Sequence, residues 1–250
     1  MTVTTADLDA ARVVSWDRQA RRNAWDLETM TRIAEAVEAA ADEPEVRCVV
    51  LRGAGEHFSA GDDLQAAIEA DSAAWAATIE AFQRMTQVVL ASPLPAIAAV
   101  DGVCVGGALE FAASCDLRLC TNRVRLLTPE IRIGLVASNA GTLLLPEVLG
   151  ESAARELLLS GEERDAAWAR EHGFATEIVA PGDLDGRIQH WAGVFAGNSR
   201  AALAATKSML NERFGDLLPA AMDRETHHCV RLFDEPDARE ALRSFAQGRA

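Results

Sequence analysis

Apolar positions follow two different periods along the first 140 residues. Short β-rich runs predict strands at 12–16, 46–51, 96–100, 116–120 and 124–127. Apolar residues at helical spacing predict helices after an Asp26 N-cap, over 71–90 and over 106–114. This alternation is typical of an α/β fold whose sheets are covered by helices. The segment before Arg12 is short and polar, and no strand is assigned to it.

From Gly141 onwards the pattern is almost entirely helical. Only 175–179 has the pattern of a strand, and helices are predicted at 152–160, 165–172, 183–196, 199–212, 217–233 and after Pro236. We place a boundary near residue 195, which divides the chain into a core (1–195) and a helical region (196–250). The pattern leaves open whether that region packs on its own core or on a neighbouring subunit.

Composition narrows the class of ligand. The chain has 250 residues, of which 49% are apolar, and a net charge of −14. That charge argues against binding to nucleic acid or to an anionic membrane. It does not exclude a phosphorylated ligand, because a few clustered arginines can hold phosphate locally.

The cysteines, histidines and N-terminus indicate a reduced protein without a metal. None of the five cysteines forms a Cys-x-x-Cys pair, and the five histidines show no metal spacing, so we predict buried thiols and no metal site. The polar N-terminus is not a signal peptide, and no apolar run is long enough to span a membrane. These features predict a cytoplasmic protein.

Candidate chemistry begins at 58–64, Phe-Ser-Ala-Gly-Asp-Asp-Leu. Small residues beside Gly61 let a ligand approach the main chain, and a helix that begins near Asp63 leaves outward N–H groups for an oxyanion. When this segment is taken alone, an ordinary loop with an Asp N-cap is the favoured explanation.

Two glutamates follow similar elements. Glu110 lies one turn into an apolar helix that opens with Gly106-Gly107, where each glycine costs about 1 kcal/mol of helix stability relative to alanine. Such a carboxylate is either partnered or has a raised pKa, unless it only complements the helix dipole. Glu130 follows Pro129, which can fix its position, although a surface loop glutamate is the simpler alternative. Ser138 or Asn139 is predicted to cap the next helix.

In this order and spacing, the elements resemble the enoyl-CoA hydratase/isomerase (crotonase) superfamily from about Arg12 to Arg249. The matching pieces are Arg22-Asn23-Ala24, 58–64, 101–110, Cys115-Asp116, Pro129-Glu130-Ile131-x-x-Gly134, and 233–241 with Phe245. The resemblance implies an α/β spiral of repeated ββα units with a C-terminal helical trimerisation region. It also implies a homotrimer or dimer of trimers acting on an acyl-CoA thioester, so coenzyme A is part of the substrate and no separate cofactor is expected.

By position, the resemblance assigns the amides of Asp62 and Gly107 to an oxyanion hole. Substrate and CoA contacts are expected from Arg21, Arg22, Ala24, Ala60, Asp62, Leu64, Gly106, Gly107 and Ser138. Retention of both Glu110 and Glu130 favours a hydratase, with Glu110 as the base that activates water and Glu130 as the proton donor at C2. The alternatives are an isomerase, a CoA-thioester hydrolase, an enzyme acting on a ring substrate, or a non-catalytic acyl-CoA-binding protein.

Two departures from the family pattern carry expectations of their own. Residues 137–141, Ala-Ser-Asn-Ala-Gly, replace a Pro-Gly-x-Gly-Gly-like turn. Asp62 occupies a slot that is often small or apolar. Since a carboxylate aimed inward would oppose an oxyanion, the Asp62 side chain is expected to point outward.

Overall fold

A computed structural model of the chain describes residues 2–246, within which lie eight strands and eleven α-helices. The strands are β1 (Thr2–Leu8), β2 (Ala11–Asp17), β3 (Cys48–Gly53), β4 (Ala96–Val100), β5 (Val103–Val105), β6 (Leu117–Thr121), β7 (Arg125–Leu127) and β8 (Glu177–Val179). The helices are α1 (Leu27–Ala41), α2 (Leu64–Glu69), α3 (Ser72–Ala91), α4 (Gly107–Ala113), α5 (Gly141–Leu149), α6 (Glu151–Ser160), α7 (Ala166–Glu171), α8 (Leu184–Ala196), α9 (Arg200–Asn211), α10 (Leu217–Phe233) and α11 (Pro236–Ala246).

The larger sheet has six strands in the order β1-β2-β3-β4-β6-β8. The β1–β2 pair is antiparallel and the other pairs are parallel. Strand β4 is buried at every position, as expected for a parallel strand covered on both faces. Helix α8 packs on one face through Ile188 and Ala192, and the cluster that contains α1 and α3 covers the other.

The first strand was missed by the sequence prediction. Residues Thr2–Leu8 pair along their whole length with Ala11–Asp17. Most of β1 is exposed, because it lies at the edge of the sheet and packs little apolar surface. Its pairing therefore rests on backbone hydrogen bonds, which leave no apolar pattern in the sequence.

A smaller parallel sheet positions the candidate chemistry. Strands β5 and β7 pair with each other, and isolated bridges join Ser59 to Cys104 and Trp25 to Asp62. Parallel strands end at the same edge of a sheet, where ligands commonly bind. The segments Gly61-Asp62, Gly106-Gly107 and Pro129-Glu130 accordingly meet at one edge.

The helix caps were predicted with mixed success. Asp26 caps α1, and Asp63 caps α2, as the sequence indicated. The prediction of Ser138 or Asn139 as the cap of α5 is wrong: α5 begins at Gly141, and Ala140, at a left-handed φ of 59°, precedes it without a side-chain cap. A side chain from α10 takes that role.

The C-terminal helices pack on their own chain. Phe233 of α10 stacks on Trp75 of α3 at 4.9 Å between ring centroids, and Leu242 of α11 joins the same buried cluster. The boundary near residue 195 stays a prediction, and the Phe245 side chain and Arg249 lie outside the described residues. All five cysteines are free and buried, which confirms that part of the prediction. Over residues 2–246, no helix has the length and apolarity needed to cross a bilayer.

Candidate active site

Gly61 brings the 59–62 segment close to β5. Its φ is +80°, and a Cβ there would lie 2.7 Å from the carbonyl oxygen of Val105 and 3.7 Å from the Gly107 nitrogen. Glycine is therefore required at this approach. Neither the Asp62 amide nor the Gly107 amide donates to the backbone of another described residue. Two N–H groups without a backbone acceptor among the described residues thus lie near each other at the edge of the smaller sheet.

A buried asparagine holds the neighbouring loop. The Asn23 side chain donates to the carbonyl oxygens of Ala54 and His57, at 2.8 and 2.7 Å. The Asn23 carbonyl in turn accepts from the Ser59 hydroxyl at 2.8 Å. These bonds hold the segment that contains Arg21, Arg22 and Ala24 beside residues 59–62.

Glu110 is fully buried on α4. Its Oε2 accepts from the Asn139 amide at 2.7 Å, while its Oε1 has no partner among the described residues. A Cβ at position 141 would lie 2.7 Å from the Glu110 carboxyl carbon, so Gly141 makes room for this side chain. Burial, followed by the charges of Glu130, Glu225 and Asp62, raises the pKa of Glu110 well above its usual range.

Glu130 stands at the end of β7, opposite Gly106. A Cβ at Gly106 would lie 2.6 Å from Glu130 Oε1, so the glycine at φ +60° leaves space for that oxygen. Glu130 Oε2 is shut off from solvent and has no partner within residues 2–246. Burial raises the pKa of Glu130 to about 7, and the charges of Asp62 and Glu225 act in the same direction.

A third buried glutamate, Glu225 of α10, was missed by the sequence reasoning. Its Oε1 accepts from the Thr142 amide at 2.8 Å and from the Thr142 hydroxyl at 2.5 Å, so it caps α5 from another helix. Burial raises its pKa despite these bonds. Because α10 also carries Asp223, Arg224 and Arg231, only the tertiary structure distinguishes Glu225 as the buried member.

The Asp62 carboxyl points inward, so the expectation that it faces outward is wrong. Its Oδ1 is shut off from solvent and has no described partner. Burial raises the pKa of Asp62 to about 7, with the charge of Asp63 adding to the effect. Arg18 pairs with the neighbouring Asp63 at 2.6 Å, and no described cation pairs with Asp62. The pairing of Asp62 with Trp25 fixes the backbone that aims the side chain this way.

Two adjoining cavities meet at this edge. The larger, of about 300 Å³, is lined by predicted residues, namely Arg21, Arg22, Ala24, Ala60, Asp62 and Leu64. The smaller, of about 40 Å³, is lined by Ala60, Asp62, Leu64, Gly106, Glu130 and Ser138 among the predicted residues. Ala60, Asp62 and Leu64 border both, so they form the passage between them. Gly107 and Glu110 line neither cavity.

The walls of the small cavity, which we call the inner chamber, come from distant parts of the chain. Trp75 of α3, Cys229 of α10 and Leu242 of α11 contribute apolar surface. Arg125, which pairs with Glu163 at 2.6 Å, lines the larger cavity and was not predicted. Over residues 2–246, no three His, Cys, Asp or Glu side chains are arranged to hold a metal.

Known proteins resemble this chain over most of its length. The family model described as enoyl-CoA hydratase/isomerase matches residues 10–250. A crotonyl-CoA hydratase of Syntrophomonas wolfei is 29% identical over 93% of this chain and 90% of its own length. An enoyl-CoA isomerase/hydratase of Mycosarcoma maydis is 32% identical over 83% of this chain and 76% of its own length.

Solved structures give the same result. The crystal structure of an enoyl-CoA hydratase from Mycobacterium avium subsp. paratuberculosis K-10 superposes with a TM-score of 0.88 at 26% identity, covering 99% of this chain and 96% of the other. This likeness confirms the predicted α/β crotonase fold with C-terminal helices. With a family model that spans nearly the whole sequence, the chain belongs to the enoyl-CoA hydratase/isomerase family.

Proposed function

We propose that this protein adds water across the 2,3 double bond of an enoyl-CoA thioester. The observation that carries the proposal is a pair of glutamates, of which Glu110 is fully buried and Glu130 is half-buried with one oxygen shut off from solvent. Glu110 and Glu130 each keep one carboxyl oxygen without a described partner, and the charge of Glu130 raises the pKa of Glu110. Two carboxyls that interact in this way do not both ionise readily, so the pair retains a proton at neutral pH. One base and one acid are what hydration needs.

The proposed reaction follows from the positions of these groups. The thioester oxygen accepts hydrogen bonds from the amides of Asp62 and Gly107 as it gains negative charge. Glu110, held by the Asn139 amide, takes a proton from water as that water attacks C3. Glu130, which lines the inner chamber, supplies the proton to C2. Water thereby gives its hydroxyl to C3 and a proton to Glu110, while Glu130 gives a proton to C2; transfer of a proton from Glu110 back to Glu130 restores the site.

The larger cavity suits the CoA portion of the substrate. Arg21 and Arg22 are exposed at its wall and can meet phosphate groups, although the chain as a whole is acidic. The inner chamber then receives the acyl group, and its volume of about 40 Å³ favours short chains. The expected homotrimer or dimer of trimers stays a prediction, to be measured by light scattering after size-exclusion chromatography.

Hydration of crotonyl-CoA, followed by loss of its conjugated absorbance, tests the proposal. Glu110→Gln and Glu130→Gln should each lower kcat by about 10²–10⁴-fold, the usual contribution of a general acid or base. Binding of CoA should persist in both. Glu35→Gln on the exposed side of α1 is the control and should keep full activity. A wild-type protein inactive across enoyl-CoA chain lengths, or active glutamate variants, would refute the proposal.

An isomerase is the second candidate, favoured by one specific observation. Glu130 lines the inner chamber, whereas Glu110 does not. A single carboxyl can move a proton between C2 and C4 without water. Two substrates in ¹⁸O-labelled water distinguish the two: conversion of a 3-enoyl-CoA to the 2-enoyl product without incorporated label favours the isomerase, whereas no turnover of the 3-enoyl-CoA together with a labelled 3-hydroxyacyl product from the 2-enoyl-CoA favours the hydratase.

A further inference from the structure

The Asp62 side chain is a half-buried polar group that the proposed reaction does not use. Its carboxyl lies at the passage between the two cavities, together with Ala60 and Leu64. Oδ1 is inaccessible to solvent and unpartnered among the described residues. An unpartnered carboxyl is costly to bury, so its persistence at a ligand passage points to a partner on the ligand.

The charges around Asp62 favour its neutral form. On its own segment it faces Asp63, whose carboxylate is paired with Arg18. Asp62 also faces Glu110 of α4, Glu130 in the turn after β7, and Cys229 of α10. A negative charge on Asp62 raises the pKa values of these three groups. No described cation forms an ion pair with it; the arginines of the larger cavity are Arg21, Arg22 and Arg125. Ionised Asp62 would therefore add uncompensated negative charge to the site.

The position of the carboxyl relative to its own amide fixes what it can reach. The Asp62 N–H lies close enough to this carboxyl to hydrogen-bond to it and to favour its ionised form. The proposed reaction assigns the same N–H to the thioester oxygen. A substrate oxygen at that amide is consequently within hydrogen-bonding reach of the carboxyl as well.

We propose that Asp62, as a neutral carboxylic acid, donates a third hydrogen bond to the thioester oxygen beside the Asp62 and Gly107 amides. This inference rests on the proposed CoA-thioester site. A carboxylic acid kept neutral by its surroundings can serve as an oxyanion donor. In its ionised form the same group competes for its own amide and repels the oxyanion. Asp62 is then both a catalytic donor and the group that switches the oxyanion hole off at high pH.

Thioester polarisation can be read without turnover. A conjugated 2,4-dienoyl-CoA absorbs at longer wavelength as its carbonyl becomes more polarised. We would bind 2,4-hexadienoyl-CoA to the Glu110→Gln/Glu130→Gln protein, in which the two titrating glutamates are replaced by isosteric amides. The band position and the dissociation constant would be measured between pH 5 and 9, with Asp62 intact, as Asp62→Asn and as Asp62→Ala.

With Asp62 intact, the band should be displaced to long wavelength at low pH and return towards the free value as pH rises, with a midpoint below the pKa of about 7 that Asp62 has beside Glu110 and Glu130. Asp62→Asn, which keeps a neutral donor, should hold the displacement at every pH. Asp62→Ala should give a smaller, pH-independent displacement. In the enzyme with both glutamates, Asp62→Ala should lower kcat at pH 6 by about 10²-fold, the usual effect of losing one oxyanion donor.

Three results would overturn the inference: a pH-independent band with Asp62 intact, an unchanged band in Asp62→Ala at low pH, or a titration that persists in Asp62→Asn and so belongs to another group such as Glu225. The proposed hydratase function is tested by a different measurement, the hydration of crotonyl-CoA. An Asp62-dependent band in a protein that does not hydrate crotonyl-CoA would support this inference and refute the hydratase function. An active hydratase with a pH-independent band does the reverse.

Discussion

At the scale of residues, glycines determine where the carboxyls of the site can lie. Gly106 and Gly141 stand where a methyl group would occupy the space of Glu130 Oε1 and of the Glu110 carboxyl, respectively. Gly141 lies in a helix and has ordinary backbone dihedrals. Glycine is therefore needed at this position because it lacks a side chain, and not because of its backbone freedom. A close approach of this kind has no signature in composition or periodicity.

Replacing Gly141 by alanine should therefore act on chemistry. A Cβ at 2.7 Å from the Glu110 carboxyl carbon displaces the carboxyl, and a displacement of about 1 Å can cost 10²-fold in rate. We expect Gly141→Ala to lower kcat by about 10–100-fold with little change in KM, measured with crotonyl-CoA.

Gly193→Ala in α8 is the matched control, since a Cβ there meets nothing within 4 Å. It should leave kcat unchanged and raise the free energy of unfolding by about 0.5–1 kcal/mol, the helix preference of alanine over glycine. Equal activity of both variants would contradict the role given to Gly141.

At the scale of elements, α10 organises the turn that holds Glu110. Glu225 caps α5 at Thr142, and three residues earlier the Asn139 amide donates to Glu110. This capped turn replaces a glycine-rich turn and explains how side chains are accommodated at 138–140. The charge of Glu225 also raises the pKa values of Glu110 and Glu130.

The Glu225→Gln variant should distinguish the effect of Glu225 on the position of the turn from the effect of its negative charge. The amide oxygen still accepts from Thr142, so the turn and the KM should persist. Removing the negative charge weakens proton binding by Glu110 and Glu130, so the proton they share is lost at lower pH. The alkaline limb of the kcat profile should consequently move to lower pH.

Asp223→Asn, at an exposed position of the same helix, is the control and should not move that limb. An unchanged pH profile in Glu225→Gln would assign Glu225 a purely structural role. Glu225→Ala, which leaves the first N–H groups of α5 without their acceptor, should lower the free energy of unfolding by about 1–3 kcal/mol.

At the scale of the whole molecule, the chain closes the inner chamber with its own C-terminal helices. Trp75 from α3 meets Cys229 and Leu242, which lie more than 150 residues later in the sequence. The Trp75–Phe233 stack and the packing of Ala238 against Gly134 hold these helices over the chamber. The length of acyl group that fits thus depends on contacts between the two ends of the fold.

Shortening Leu242 should relax that limit. The side chain is buried against the chamber, so Leu242→Ala leaves room for additional methylenes. We expect the ratio of kcat/KM for 2-octenoyl-CoA to that for crotonyl-CoA to rise by about 10-fold, within the range that a methylene contributes in an apolar pocket. Leu217→Ala, at an exposed position of α10, should leave the ratio unchanged. A fixed ratio in Leu242→Ala would show that Leu242 does not limit the acyl chain.

The sequence by itself determined the α/β class, most element positions and the segments that meet at the site. The α/β class and the element positions follow from periodicity, capping residues and glycine positions, all of which are local, whereas the site segments follow from their resemblance in order and spacing to the crotonase superfamily. Only the tertiary structure decided the exposed strand β1, the cap supplied by Glu225 and the inward direction of Asp62. Each of these depends on a partner far away in sequence: β1 on a backbone pairing, Glu225 on another helix, and Asp62 on a bridge to Trp25. Local patterns carry no record of such partners, because burial and charge at a residue are properties of the assembled fold.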